Sequence, residues 1–284
     1  MDIIHISGNT YYFNTPVSIG AIIEDNSAIL IDTGLDENAV RKVLNWLKEK
    51  DIKLKYVINT HSHSDHIGGN AFVEARTKTT FYASEIEAAF IRNPELLPDF
   101  IYGASSISEL KSKFYYSAPT ENVRNIKELK EKFRIVELPG HTFQMIGIIT
   151  EDNVFFVADS VFSKQILGKH SLIFHIDTAR FLSTLEFLAQ QNADFHLLSH
   201  GGVLKKIDAE LEENKKQINI LLSIIEDHKP DNLENLISKI MEENDISTID
   251  QYFLNRVPVM AAIKYLKELN RINVIIEEGK LTVK

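Results

Sequence analysis

The chain has 284 residues, 44% apolar and 25% charged, the balance of a globular protein long enough for a sizeable core. A net charge of −9 gives it no general attraction to nucleic acid or to an anionic membrane. It contains no cysteine, which excludes disulfides and leaves nitrogen and oxygen as the only ligands for any metal.

The start, Met1-Asp2-Ile3-Ile4-His5, lacks the basic and apolar stretches of a signal peptide, and charges interrupt every apolar run before it reaches membrane-span length. The expectation is a cytoplasmic protein with no membrane partner. Val17 to Glu24 and Ala28 to Ile31 read as strands separated by the turn Asp25-Asn26-Ser27. Asp32-Thr33-Gly34 ends the second strand. Asp36 has the chemistry of a helix cap, and Val40, Val43, Leu44 and Leu47 follow at helical spacing. Tyr56 to Thr60 reads as a buried strand.

Residues 84–118 carry Phe90, Phe100, Tyr102, Phe114, Tyr115 and Tyr116, punctuated by Pro94, Pro98 and Gly103. This is a helical insertion, read as a satellite core, a homodimer contact, or a lid over a substrate pocket with Tyr102 facing the substrate. Three further strands follow: Phe133 to Leu138, Val154 to Ala158 and Phe195 to Ser199, with a helix over Thr178 to Gln190. Strands interleaved with helices imply an α/β (α+β) protein with helices packed outside its sheets.

Residues 206–228 form a connecting helix, broken at His228-Lys229-Pro230. The remainder, 229–284, reads as a small C-terminal domain. Leu233 to Met241 mark one helix, Thr248 to Leu254 a short second, and Pro258 to Asn270 a third. Ile272 to Ile276 and Leu281 to Val283 form a hairpin across Glu277-Glu278-Gly279-Lys280. Three helices and a hairpin resemble a winged helix. From Lys229 to Lys284 there are eight Lys or Arg against nine Asp or Glu, which makes this unit a poor nucleic-acid binder and favours a packing or dimerisation role.

The chemistry concentrates in Thr60-His61-Ser62-His63-Ser64-Asp65-His66-Ile67-Gly68-Gly69. His61 and His63 are two apart, so in extended backbone they point the same way. Asp65 and His66 follow as the chain turns towards a helix, and the glycines are expected to permit that turn. His141 in Pro139-Gly140-His141-Thr142, Asp159 in Ala158-Asp159-Ser160 and His200 in Ser199-His200-Gly201 each sit where an apolar strand ends. Functional groups of α/β folds gather at such ends. His5, His196 and His228 lack a ligand-like context. His170 and His175 lie in the loop after the Asp159 strand, within reach of the pocket, and are candidate substrate contacts or surface groups.

The pattern His61-x-His63-x-Asp65-His66, followed by His141, Asp159 and His200 and preceded by Ile31-Asp32-Thr33-Gly34, resembles the metallo-β-lactamase superfamily over about residues 1–205. The resemblance implies an αββα sandwich catalytic domain carrying two metal ions at one edge. It assigns His61, His63 and His141 to the first metal and Asp65, His66 and His200 to the second. Asp159 would bridge them, and Asp32 would support the site without binding metal. Imidazole and carboxylate ligands suit two zinc ions, with iron or manganese as alternatives. Two such ions can share a hydroxide that attacks a carbonyl or phosphorus, with Asp65 orienting it or taking its proton. Thr60 to Gly69 and Pro139 to Thr142 most resemble the glyoxalase II-like branch, which cleaves thioesters, whereas the C-terminal unit differs from that enzyme's glutathione-binding region. The expected activity is therefore hydrolysis of a small carbonyl substrate, a thioester, lactone or related ester. A metal-dependent ribonuclease or phosphodiesterase is the alternative. An iron-dependent redox protein is a third reading, opposed by His63 where that branch has Glu.

Overall fold

The computed structural model describes residues 2–168 and 172–284. The first half builds one seven-stranded sheet from β1 (Asp2–Ser7), β2 (Thr10–Asn14), β3 (Ile19–Glu24), β4 (Ser27–Ile31), β5 (Lys53–Ile58), β6 (Thr80–Ala83) and β7 (Val123–Asn125), in that spatial order. Pairing is antiparallel as far as β4 and parallel from there to β7. The crossovers carry α1 (Glu37–Glu49), α2 (Ser64–Ile67), α3 (Asn70–Thr77), α4 (Glu85–Arg92) and α5 (Leu96–Tyr102). Asp36 caps α1 as its chemistry suggests, its carboxylate accepting from the backbone N–H groups of Asn38 and Ala39.

A second sheet of β8 (Arg134–Glu137), β9 (Ile146–Ile149), β10 (Val154–Ala158), β11 (Phe195–Leu198) and β12 (Gly202–Leu204) has the order β12-β11-β10-β9-β8. Its helices are α6 (Lys164–Leu167), α7 (Thr178–Leu188) and α8 (Asp208–Asp227). The two-residue period of a strand explains the layering. In β4, Ile29 and Ile31 join an apolar cluster shared with Ile146, Ile148 and Phe156 of the other sheet, while Ala28 and Leu30 face the cluster of α1 and α3. In β10, Val154 and Phe156 face the first sheet, while Phe155 and Val157 face α7 and α8. Two sheets packed face to face with helices outside each give the expected αββα sandwich.

The C-terminal segment contains β13 (Asp231–Asn232), α9 (Leu233–Glu243), α10 (Ile249–Glu268), β14 (Val274–Glu277) and β15 (Lys280–Val283), its strands ordered β13-β15-β14. Glu278 and Gly279, with φ of 50° and 76°, close the hairpin as a turn whose twist matches its strands. Leu236, Ile237, Ala262 and Leu266 belong to the same apolar cluster as Phe155 and Phe181, so this segment shares its core with the second sheet.

Here the helix count differs from expectation. The segments placed at Thr248 to Leu254 and Pro258 to Asn270 are one 20-residue helix running through Pro258. An interior proline costs about 3 kcal/mol. Packing on two sides outweighs that cost: Val259, Ile263 and Leu266 enter the main core, while Phe253, Leu254 and Val257 pack on the 84–118 segment. Among the described residues no helix is long and apolar enough to cross a membrane.

Candidate metal centre

β4, β5, β10 and β11 release their chains at the same edge of the sandwich, and the seven proposed ligands lie just beyond those ends or in the loops beside them. His61 follows β5, and His63 to His66 run into α2. Asp159 follows β10, where Ala158 adopts a left-handed φ of 51° that re-aims the chain as it leaves the sheet. Asp32, with φ 63°, makes the same kind of turn after β4.

The role of the glycines after His66 differs from expectation. Gly68 and Gly69 have ordinary right-handed backbone. What they supply is space: a Cβ on Gly68 would stand 2.0 Å from the Leu35 carbonyl oxygen, and one on Gly69 2.7 Å from that of Thr33. The Asp32–Leu35 turn therefore lies directly against the ligand helix, and the backbone N–H of Thr33 donates to the His66 carbonyl at 2.8 Å.

Three groups of donors form: His61 with His63 and His141; His61 with His66 and Asp159; and Asp65 with His66 and His200. Within each group the ligand atoms lie within 4.8 Å of one another. Asp159 spans them, with Oδ1 3.3 Å from His66 Nε2 and Oδ2 3.3 Å from His200 Nε2 and 3.7 Å from His141 Nε2. Asp65 Oδ2 is 3.3 Å from His200 Nε2. Ligands bound tetrahedrally at about 2.0–2.1 Å stand about 3.3–3.4 Å apart, so this donor set is spaced as ligands of shared cations would be.

Hydrogen bonds fix which nitrogens are available. His141 Nδ1 donates to the Phe174 carbonyl at 2.9 Å, which leaves Nε2 as a lone pair, 2.9 Å from His63 Nδ1. His66 Nδ1 meets Asp32 at 2.8 Å. His61 Nδ1 lies 3.1 Å from the Thr60 hydroxyl, which itself donates to Asp32 at 2.8 Å. Asp32 thus contacts His66 directly and His61 through the Thr60 hydroxyl, a hydrogen-bonding position of the kind that orients imidazoles. The decisive feature is what remains: His61 Nε2 is buried with no hydrogen-bond partner, and His66 Nε2 and Asp159 Oδ1, equally buried, make no well-formed hydrogen bond and face only each other at 3.3 Å. Buried polar atoms without partners are costly, and a bound cation is the partner that this donor set fits.

Electrostatics separates the imidazoles. Burial pushes His61, His63 and His141 down, His63 to about 4 and His141 to about 3. Burial also opposes the charged forms of His66 and His200, but Asp159 and Asp65 outweigh it, lifting His66 well above the ordinary imidazole range and His200 to about 10. For Asp65, His66 and His200 overcome the upward push of burial and hold the carboxyl at about 2. Both carboxylates are therefore ionised at neutral pH, while protons on His66 and His200 compete with a metal. Because those protons must leave, zinc affinity is expected to rise with pH from 6 to 9, by up to about 100-fold per unit if both are released. Competition against a chromophoric chelator measures this, and a flat profile would contradict the charge assignment.

Glu87 escaped the sequence reading. It is 1% exposed, and its carboxylate accepts from Ser62 N at 3.0 Å, Ser62 Oγ at 2.6 Å, Thr142 Oγ1 at 2.7 Å and Gln144 N at 3.0 Å. One side chain of α4 thereby clamps the His61–His63 and His141 loops together. The available signal was an acid on the buried face of α4 with Ala88 and Ile91. Glu87→Ala is expected to weaken metal binding about 10–100-fold, the usual effect of losing such support. Metal titration alongside thermal unfolding separates this from a general loss of stability.

The remaining candidates fall differently. His175 is buried, donates from Nδ1 to the Ile173 carbonyl at 2.8 Å and accepts at Nε2 from the Thr178 hydroxyl at 2.9 Å, so it anchors the start of α7 and does not line the cavity. Tyr102 packs its ring on Phe253, at 4.7 Å between centroids, and also does not line the cavity. From its segment the wall-forming residues are Leu97, Ile101, Phe114 and Tyr115. His170 lies outside the described residues.

The profile of the metallo-beta-lactamase superfamily matches residues 13–200. The chain is 26% identical over 218 residues to the lactamase-like protein nscB of Trichophyton equinum, covering 74% of this chain and 52% of that protein. It is 27% identical over 143 residues to a hydroxyacylglutathione hydrolase of Prochlorococcus marinus, covering 50% of this chain and 48% of that one. The chain thus spans about half the length of these curated relatives. The fold is similar to that of a beta-lactamase domain protein from Burkholderia ambifaria, with a TM-score of 0.73 at 16% identity over 99% of this chain and 93% of the other.

Proposed function

This chain belongs to the metallo-β-lactamase superfamily, and on that premise we propose that it is a dinuclear metal-dependent hydrolase of small carbonyl substrates, namely thioesters, lactones or related esters. The observation that carries the proposal is the convergence of seven donor side chains in one buried cluster in which His61 Nε2 has no partner at all and His66 Nε2 and Asp159 Oδ1 make no well-formed hydrogen bond.

His61, His63 and His141 would hold one ion, Asp65, His66 and His200 the other, with Asp159 between them; zinc fits this hard and borderline donor set, and iron or manganese are alternatives. When bound, the ions supply a Lewis acid for the carbonyl and lower the pKa of the attacking water. The protein's own groups do the rest. Asp32, Thr60 and the Phe174 carbonyl fix the imidazole tautomers. Asp65 and Asp159 both line the cavity, and the Asp65 side chain, 27% exposed against 6%, is the more accessible of the two. In this reading Asp65 would orient the water and take its proton.

Elemental analysis of purified protein identifies the metal. Thioester, lactone, nitrocefin and bis(p-nitrophenyl) phosphate substrates, each with and without chelator, then sort the activity. Chelator-sensitive turnover of a carbonyl substrate is expected; turnover of the phosphodiester alone would replace this reading with the phosphodiesterase one.

A further inference from the structure

Beside the metal ligands lies a cavity of about 660 Å³, the size of a small-molecule site. Its floor is His63, Asp65, His141, Asp159 and His200. Most of its remaining wall is hydrocarbon, contributed chiefly by Leu97 and Ile101 of α5, Phe114, Ile166 of α6, Ile173 and Leu254 of α10. Leu97, Ile101, Leu172 and Ile173 are each under 10% exposed, so this side of the cavity is formed by residues held in the packed interior. Phe114, 60% exposed, forms an apolar lip. The two walls are tied together where the Tyr115 hydroxyl donates to Asp250 of α10 at 3.0 Å.

Charge is as informative as shape. Among the described residues, no Lys or Arg lines the cavity, and Lys169 lies outside them. The far rim offers Asn244, Gln251 and Asn255 with one further acid, Asp245. Among the described residues a carboxylate or phosphate away from the metals would meet no counter-charge in the lining and would be repelled by Asp245. An alkyl or aryl group would instead replace water along the whole wall.

We propose that this cavity selects esters, thioesters or lactones whose acyl part is an uncharged hydrocarbon group of about six to ten carbons, seated between α5, the 172–174 segment and α10. The inference rests on the hydrolase reading and narrows it to a substrate class.

The test is the zinc-loaded protein against p-nitrophenyl esters from acetate to decanoate, together with an octanoate-length ester ending in a carboxylate. Burying a methylene is worth up to roughly fourfold. kcat/KM is therefore expected to rise about 10²–10³-fold from acetyl to octanoyl, and to fall at least tenfold when the chain ends in a carboxylate. Phe114→Ser, at an exposed position that does not threaten folding, is expected to shrink the octanoyl-to-acetyl ratio about fivefold. Chelator-sensitive hydrolysis with a flat chain-length profile, or with preference for the carboxylate-ended ester, overturns the inference and leaves the hydrolase reading standing. If no ester is hydrolysed, the thioester and lactone substrates of the panel above decide the hydrolase reading, and calorimetry of octanamide against acetamide on the same protein decides the cavity. Octanamide binding at least 100-fold tighter upholds the apolar slot; equal binding overturns it.

Discussion

Replacing Asp159 with alanine is expected to lower kcat/KM by about 10³-fold or more and to reduce bound metal to at most one equivalent. This carboxylate is the group that faces both halves of the centre, reaching His66, His200 and His141 within 3.7 Å. Losing the charge stabilisation that a correctly held metal gives is worth several kcal/mol, and each 1.36 kcal/mol is a factor of ten. The same substitution strands two imidazoles that Asp159 helps to keep charged. Breaking a buried pair by removing one partner typically costs about 3–5 kcal/mol, so the metal-free variant should also unfold at lower temperature. Steady-state kinetics, elemental analysis and thermal unfolding in chelator check the three effects separately. Full activity with two metals bound would remove Asp159 from the centre.

Asp65→Asn has a narrower expected effect. The amide keeps an oxygen in place but cannot take a proton, so kcat is expected to fall about 10²–10⁴-fold while KM changes little. The His61, His63 and His141 group does not include Asp65, so at least one equivalent of metal should remain. The wild-type carboxylate is held ionised, at about 2, by its imidazole neighbours, whereas the amide has no such charge to offer. A variant that kept both metals and wild-type kcat would show that Asp65 is only a ligand.

How far the sequence anticipates this site depends on how each residue acts. Donors packed into His61–His66, or placed just past an apolar strand as Asp159 and His200 are, can be found because strand ends gather distant segments at one edge. Glu87 acts through hydrogen bonds to two loops on other segments, and nothing in its own neighbourhood marks that reach. His175 and Tyr102 failed as cavity residues for the opposite reason: lying in the right segment does not say which way a side chain points, and both turn to local partners. The 84–118 segment reads from sequence as a satellite core, a dimer contact or a lid, and its residues have two surroundings. Leu110 and Tyr102 pack with α10, while Leu97 and Ile101 also wall the cavity. At Gly68 and Gly69 the need is for room beside Thr33 and Leu35, a long-range contact that conformational reasoning about glycine cannot supply. Pro258 is the reverse case, a local helix-breaking signal overruled by tertiary packing.

Anomalous diffraction from crystals of zinc-loaded protein tests the central claim most directly. Two peaks are predicted, one enclosed by His61, His63 and His141, the other by Asp65, His66 and His200, with Asp159 lying between them. A map with no peak there, or with zinc held elsewhere on the chain, would contradict the account.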